Sequence, residues 1–225
     1  MEKITEYVFN GFTATIIMPE NPNGKWIWKT EFLYAFDDAE RALLNDGYTR
    51  VYYRISDMYG SYRAVRLMHD FHLDLLNRFP LCKKANLFGF SRGGLYAFNY
   101  ALFYPEYVDK IYLDAPVLDL RSWPWADSPE QSQMLKEYCL TKDTLKEFKG
   151  CPVYNFAEFF PHKIPVLLVA GGKDEVVKFE DNSQKLIDYA ITHGENFKYV
   201  IKPECGHHPH SLTDITPILN FIEND

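Results

Sequence analysis

The segment Leu-Phe-Gly-Phe-Ser-Arg-Gly-Gly contains the pattern G-x-S-x-G, centred on Ser91. An apolar run precedes the serine and a helix-forming run follows it. A serine at such a sharp turn presents its hydroxyl at the sheet edge, and the flanking glycines let the turn close. The hydroxyl would be a nucleophile for acyl transfer, and the backbone N–H of Arg92 would stabilise the resulting oxyanion. The structural alternative is a small-residue turn that only packs a helix against a strand.

A serine hydroxyl needs a base to take its proton, and the base needs an acid to orient it. Asp174 follows Gly171-Gly172-Lys173, directly after an almost wholly apolar predicted strand. Because sites in parallel sheets form at the carboxyl ends of the strands, Asp174 is the predicted acid. Asp114 ends the preceding predicted strand and is the alternative acid.

The predicted base lies after the last predicted strand, in the sequence Cys-Gly-His-His-Pro-His. We predict His207, because Gly206 permits a sharp turn that would aim its ring at the serine; His208 and His210 are the alternatives. A metal site is a competing interpretation, since Cys205 and the three histidines are all ligand types. These residues lie in one short loop without a second ligand cluster, so we predict no metal and no cofactor.

The chemistry-bearing residues are spread over a regular alternation of strands and helices. Asn10-Gly11 predicts a tight hairpin turn at the start, and alternation follows it. This pattern is typical of an α/β protein with a mostly parallel sheet and helices on both faces. Strands are predicted over 6–10, 12–18, 25–28, 50–55, 85–90, 108–113, 164–170 and 197–201. Helices are predicted over 38–45, from the cap Ser61 to about 78, over 93–104 and 183–191, and from Pro217 with Thr216 as its cap.

The alternation breaks once, between two predicted strands. The interval 118–163 is too long for a simple crossover, and it holds Trp123-Pro124-Trp125 and a predicted helix over 129–138. We interpret it as a cap insertion over the sheet edge of a single domain that spans 1–225.

Composition indicates an ordinary globular protein, with 47% hydrophobic, 24% charged and 16% aromatic residues. The net charge of −7 argues against nucleic acid or an anionic membrane as partner, since such binders need a basic field. No apolar run approaches the roughly 18 residues of a membrane span. The first ten residues lack the apolar stretch of a signal peptide, so we expect a cytoplasmic protein with its four cysteines reduced.

Together, the Ser91 turn, Asp174, His207 and the cap between two strands resemble the α/β-hydrolase superfamily over nearly the whole chain. The resemblance extends to small bacterial esterases related to the prolyl-oligopeptidase and acetyl-xylan-esterase groups. It implies a Ser-His-Asp triad that works without a cofactor. Many members carry a His-Gly pair after the third strand, which this chain lacks. The second oxyanion donor would then be a backbone N–H near Lys29 or Thr30.

We therefore predict a serine esterase that acts on a small-molecule or carbohydrate ester. Trp28, Tyr59 and Trp123 are predicted to bind substrate, because aromatic faces beside polar groups suit a sugar ester better than a long-chain lipid. The alternatives are a peptidase of the prolyl-oligopeptidase type, a non-catalytic binding protein on the same fold and a metal-dependent hydrolase.

Overall fold

The protein is described here by a computed structural model that covers residues 2–195 and 197–224. Residues 1, 196 and 225 of the predicted domain 1–225 lie outside the described residues. The strands form one eight-stranded sheet in the order β1-β2-β4-β3-β5-β6-β7-β8. Their bounds are β1 Lys3–Phe9, β2 Phe12–Met18, β3 Trp26–Lys29, β4 Thr49–Tyr53, β5 Ala85–Phe90, β6 Val108–Asp114, β7 Val166–Gly171 and β8 Phe197–Lys202.

The sheet is antiparallel at its first edge and parallel elsewhere. β1 pairs with β2, and β2 with β4, in antiparallel register, whereas every pair from β4 through β3 to β8 is parallel. Asn10 and Gly11 both have positive φ, as the hairpin turn requires. The carboxyl ends of β5, β6 and β7 consequently lie side by side at one edge of the sheet, where the site forms.

Helices cover both faces of the sheet, and strand periodicity decides which side chains meet which layer. The helices are α1 Asp38–Asn45, α2 Tyr62–Arg78, α3 Gly93–Phe103, α4 Pro129–Glu137, α5 Lys142–Glu147, α6 Phe156–Phe159, α7 Ser183–His193 and α8 Thr216–Glu223. Trp26 and Trp28 of β3 share one apolar cluster with residues of α2, α3 and α7. Ile27, between them, belongs to the opposite cluster with residues of α1 and α8.

The cap between β6 and β7 is a small helical layer with its own apolar cluster, built on residues such as Met134, Leu135 and Leu145. Hydrogen bonds from the segment that leads into α2 help to anchor α4 to the body. The Ser61 hydroxyl donates to Glu137 Oε1 at 2.6 Å, and the Tyr59 hydroxyl donates to Gln133 Oε1 at 3.0 Å. The cap is thus packed against the sheet edge.

The predicted fold class is confirmed, and the element bounds mostly agree to within a few residues. The last helix begins at Thr216 with Ile215 as its cap, so the prediction of Thr216 as cap was wrong by one position. The sequence did not predict α5 and α6, which are short helices of six and four residues inside the cap. No described helix has the length and apolar character that crossing a membrane would require.

Candidate active site

Ser91 lies in the turn between β5 and α3 with φ of +50°, a conformation that a residue with a side chain rarely adopts. The neighbouring glycines show why the turn needs them. A Cβ on Gly89 would come within 2.9 Å of the Ala97 Cβ, and one on Gly94 within 2.4 Å of the Pro116 Cβ. Glycine is therefore needed at both positions, because the backbone segments around the turn approach more closely than any larger residue would allow.

Three side chains meet in a chain of hydrogen bonds at this turn. The Oγ of Ser91 lies 3.0 Å from Nε2 of His207, and Nδ1 of His207 lies 2.7 Å from Oδ2 of Asp174. Because the carboxylate accepts from Nδ1–H, the lone pair of Nε2 faces the serine hydroxyl. The arrangement can remove the hydroxyl proton and hold the resulting imidazolium against a carboxylate.

Both partners of the serine are fixed by local backbone. The other oxygen of Asp174 accepts from the N–H groups of Val176 and Val177, each at 2.9 Å, and the residue is buried. The histidine loop comes very close to β7, since a Cβ on Gly171 would lie 2.1 Å from the Gly206 carbonyl. Glycine at 171 thus permits the approach that brings His207 to Asp174.

Two open cavities meet at Ser91, with Phe32 lining both. One has a volume of about 320 Å³ and is lined by a mixture of aromatic and polar residues of the cap and the α3 start: Phe32, Ser91, Arg92, Trp123, Pro124, Trp125, Ser128 and Glu130. The other has a volume of about 240 Å³ and is lined by apolar residues and the histidine loop: Phe32, Ala35, Phe36, Phe90, Ser91, His207, His208 and His210. A substrate bound at the serine can therefore extend in two directions of different chemistry.

A sequence-family profile described as "alpha/beta hydrolase fold" matches residues 36–144. Solved structures agree over almost the whole chain. A puromycin-hydrolyzing peptidase of Mycobacterium tuberculosis has a TM-score of 0.71 at 14% identity over 97% of this chain and 37% of that one. The chain has the α/β-hydrolase fold. No curated protein sequence matches it.

Two further structures share this α/β-hydrolase fold. An acylaminoacyl peptidase of Pyrococcus horikoshii has a TM-score of 0.67 at 15% identity over 92% of this chain and 37% of that one. The fluorophosphonate-binding serine hydrolase F of Staphylococcus aureus has a TM-score of 0.68 at 15% identity over 92% of both chains. The chain thus spans little more than a third of the length of each of the two peptidases.

The alternative acid and an alternative base form a second pair beside the serine. Nδ1 of His210 lies 2.6 Å from Oδ1 of Asp114, and both residues are buried. The other oxygen of Asp114 accepts from the Tyr112 hydroxyl at 2.6 Å and the Ser211 N–H at 2.8 Å. His208 is exposed, and partial desolvation followed by the neighbouring imidazoles lowers its pKa. From the sequence, Asp114, His208 and His210 are alternatives, but the pairing of Asp114 with His210 is not predicted.

Arg92 lies between Ser91 and the first residue of α3, and its charge is already compensated. Its Nε lies 3.5 Å from Oε1 of buried Glu31 and its guanidinium lies over the Phe32 ring. Burial raises the pKa of the Glu31 carboxyl, although Arg92 and the Ser56 hydroxyl oppose this shift. Among the described residues, no acceptor is found for the backbone N–H of Arg92. The predicted first oxyanion donor is therefore available.

The prediction of a second oxyanion donor at Lys29 or Thr30 is not supported by this geometry. Lys29 ends β3 opposite Phe88, and its ammonium is buried in an ion pair with Glu40. The N–H of Thr30 donates to the Phe88 carbonyl at 3.0 Å. Two residues after Thr30, φ of Phe32 is +59°, and no acceptor for its N–H is found within the described part of the chain.

Of the three aromatic residues predicted to bind substrate, only Trp123 lines a cavity at Ser91. The prediction for Trp28 was wrong, because its side chain points to the α2 and α3 layer and packs on Phe71 and Tyr100. The prediction for Tyr59 was also wrong, since it is fully buried and its hydroxyl holds the cap. Phe32, in an irregular loop with no sequence motif, was missed.

Proposed function

We propose that this protein is a serine hydrolase that cleaves a carboxylic ester through an acyl-enzyme. The observation that carries the proposal is the geometry at Ser91, whose Oγ lies 3.0 Å from Nε2 of His207, with Asp174 behind the ring at 2.7 Å. These distances lie within the hydrogen-bonding range expected for a nucleophile, its base and the acid that orients the base.

In the proposed reaction, Oγ of Ser91 bonds to the ester carbonyl carbon while Nε2 of His207 takes the hydroxyl proton. The backbone N–H groups of Arg92 and Phe32 stabilise the oxyanion, because both lack an acceptor in the described protein. Collapse of the intermediate breaks the bond to the alcohol, which leaves with the proton from Nε2. A water molecule then attacks the acyl-enzyme, again with His207 as base, and releases the acid and the serine.

The two cavities support a polar alcohol and a small acyl group. Trp123 and Trp125 offer flat faces, and Arg92, Ser128 and Glu130 offer hydrogen bonds, in the wider cavity of about 320 Å³. This combination suits a sugar ring or another hydroxyl-rich alcohol. The smaller cavity of about 240 Å³ is apolar where Ala35, Phe36 and Phe90 line it, which suits a short acyl chain.

Peptide cleavage is the second candidate, favoured by the names of two of the similar structures, which are peptidases. The same hydrogen-bonded chain serves amides, but the leaving amine must be protonated by His207 before the bond breaks. Substrate comparison separates the two activities.

The first test is covalent labelling with a fluorophosphonate, which reacts with an activated serine. Wild-type protein should label and Ser91→Ala should not, with Ser122→Ala as a control that removes a hydroxyl elsewhere. A folded wild-type protein that stays unlabelled would remove the case for acyl transfer.

The second test compares acetylated sugars, p-nitrophenyl acetate and proline-linked p-nitroanilides. We expect ester turnover to exceed amide turnover; the opposite order would favour the peptidase.

The third test addresses the alcohol site. Trp125 is 59% exposed, so Trp125→Ala should change stability little. We expect a several-fold higher KM for an acetylated sugar and an unchanged KM for p-nitrophenyl acetate. Tyr62→Ala removes an aromatic residue of similar exposure, 61%, from α2 and serves as the matched control. Equal effects of the two variants on both substrates would contradict the assignment of the wider cavity.

A further inference from the structure

The loop after β8 gathers three imidazoles beside the serine. The ring centroids of His207, His208 and His210 lie 4.8–4.9 Å apart in each pairing, with the rings tilted edge to face. One nitrogen from each ring falls in a group whose members all lie within 4.8 Å of one another. A serine nucleophile needs only one of these imidazoles, so the other two require an explanation.

Two of the rings are oriented by buried carboxylates. Nδ1 of His207 is hydrogen-bonded to Asp174 at 2.7 Å, and Nδ1 of His210 is hydrogen-bonded to Asp114 at 2.6 Å. In each neutral ring Nδ1–H donates a hydrogen bond to the carboxylate, which leaves a lone pair on Nε2. A carboxylate behind a histidine is the usual support for a metal-ligating imidazole, because it fixes the tautomer and makes the ligand more basic.

We propose that His207, His208 and His210 form a binding site for Zn²⁺ or a similar divalent transition-metal ion, and that the bound ion inhibits the hydrolase. Imidazole nitrogens suit zinc, copper and nickel, whereas magnesium and calcium prefer oxygen ligands. The inhibition rests on the proposed function; the binding does not. The lone pair on Nε2 of His207 cannot hold a metal ion and also take the proton of Ser91, so binding and catalysis exclude each other.

The surroundings suit a three-coordinate protein site with one open position. Tetrahedral zinc at about 2.0–2.1 Å from each nitrogen places the ligands about 3.3 Å apart, so the rings must close slightly. His208 is the exposed ring of the three, and it stacks on Phe36 with ring centroids 5.7 Å apart. The fourth position faces the cavity of about 240 Å³, where water or the hydroxyl of Ser91 can occupy it.

Binding is tested without catalysis by titrating the folded Ser91→Ala protein with Zn²⁺ in a calorimeter. Absorbance of added Co²⁺ reports the coordination geometry. We expect one ion per chain and no heat with Mg²⁺. His208→Ala in the same background should weaken binding at least tenfold. Asp114→Asn should weaken it about 10- to 100-fold through His210. His162→Gln removes an exposed histidine elsewhere and should have no effect.

Asp114 is buried, so Asp114→Asn can fail to fold. The decisive comparison is therefore between the Ser91→Ala protein with and without His208→Ala, because His208 is exposed. Equal affinity of the Ser91→Ala protein and its His208→Ala derivative would overturn the site, since the ion would then be bound elsewhere. Absence of Zn²⁺ binding at micromolar protein and ion concentrations would overturn it as well.

Inhibition is tested by the rate of fluorophosphonate labelling of otherwise wild-type protein. Zn²⁺ should slow labelling at least tenfold, EDTA should restore it, and His208→Ala should need at least tenfold more Zn²⁺ for the same relative slowing. Unchanged or faster labelling with Zn²⁺ bound would overturn the inhibition. If the protein never labels, the proposed function and the inhibition fail together, while the calorimetry on Ser91→Ala still decides the binding site.

Discussion

His72 lies in the middle of α2, inside the aromatic layer that supports β3, and it provides a quantitative test of the packing. The residue is fully buried, and its ring lies 4.8 Å from that of Trp26 and 5.1 Å from that of Tyr107. Its Nε2 lies 2.8 Å from the Lys83 carbonyl, and its Nδ1 lies 2.7 Å from the Tyr100 hydroxyl. A carbonyl only accepts, so Nε2 carries the proton, Nδ1 accepts from Tyr100, and the folded ring is neutral.

Burial lowers the pKa of His72 from 6.5 to about 4, with the nearby charges of His69 and Lys83 adding to the effect and the hydrogen bond to the Lys83 carbonyl opposing it. As the pH falls below 6.5, His72 becomes protonated in the unfolded chain, whereas in the folded chain it stays neutral until about pH 4. The stability from a neutral His72 is therefore present above pH 6.5 and lost as the pH falls. Linkage gives a loss of about 2 kcal/mol at pH 5 and about 3 kcal/mol once both states are protonated.

The assay is urea unfolding followed by tryptophan fluorescence at pH 7.5 and pH 5.0, for wild type and His72→Gln. Glutamine can still donate to the Lys83 carbonyl and does not titrate. The wild-type free energy of unfolding minus that of His72→Gln should fall by about 2 kcal/mol from pH 7.5 to pH 5.0. Effects of other titrating groups cancel in this difference. His193→Gln, which removes an exposed histidine at the end of α7, should show no such change. A difference that is the same at both pH values would refute the reasoning.

Three further outcomes test the site and its support. Asp174→Asn should lower kcat roughly ten-thousand-fold in an ester assay, because it favours the wrong tautomer of the histidine, with an unchanged circular dichroism spectrum. Gly94→Ala should lower the free energy of unfolding, measured with urea, by at least about 2 kcal/mol, since the added Cβ would lie 2.4 Å from the Pro116 side chain. Gly206→Ala is the control, because no atom lies nearer than 3.5 Å to the Cβ that it would add. Glu40→Gln should cost about 3–5 kcal/mol by leaving the Lys29 ammonium buried and unpaired, whereas replacing both residues by Met and Leu should cost much less in the same measurement.

Local sequence carries most of the fold in this protein. The apolar strand at 85–90 and its glycine-rich turn are specified within about ten residues, and the structure places β5 over the same range. The cap was harder to predict, because α5 and α6 are too short to show a helical period. Tertiary packing stabilises them: Leu145 of α5 lies in the cap cluster, and Phe156 and Phe159 of α6 lie in the main core. Short helices depend on tertiary contacts more than on propensity.

The sequence by itself determined the serine turn, the order of the chemical groups along the chain and the α/β alternation, because each depends on neighbouring residues. Only the tertiary structure decided which histidine faces Ser91 and which acid serves it. Asp114 ends β6 and Asp174 follows the adjacent parallel strand β7 by three residues, and the two pair with different rings of one loop. That choice depends on the close approach of the loop to Gly171, a contact between segments over thirty residues apart that no local pattern encodes.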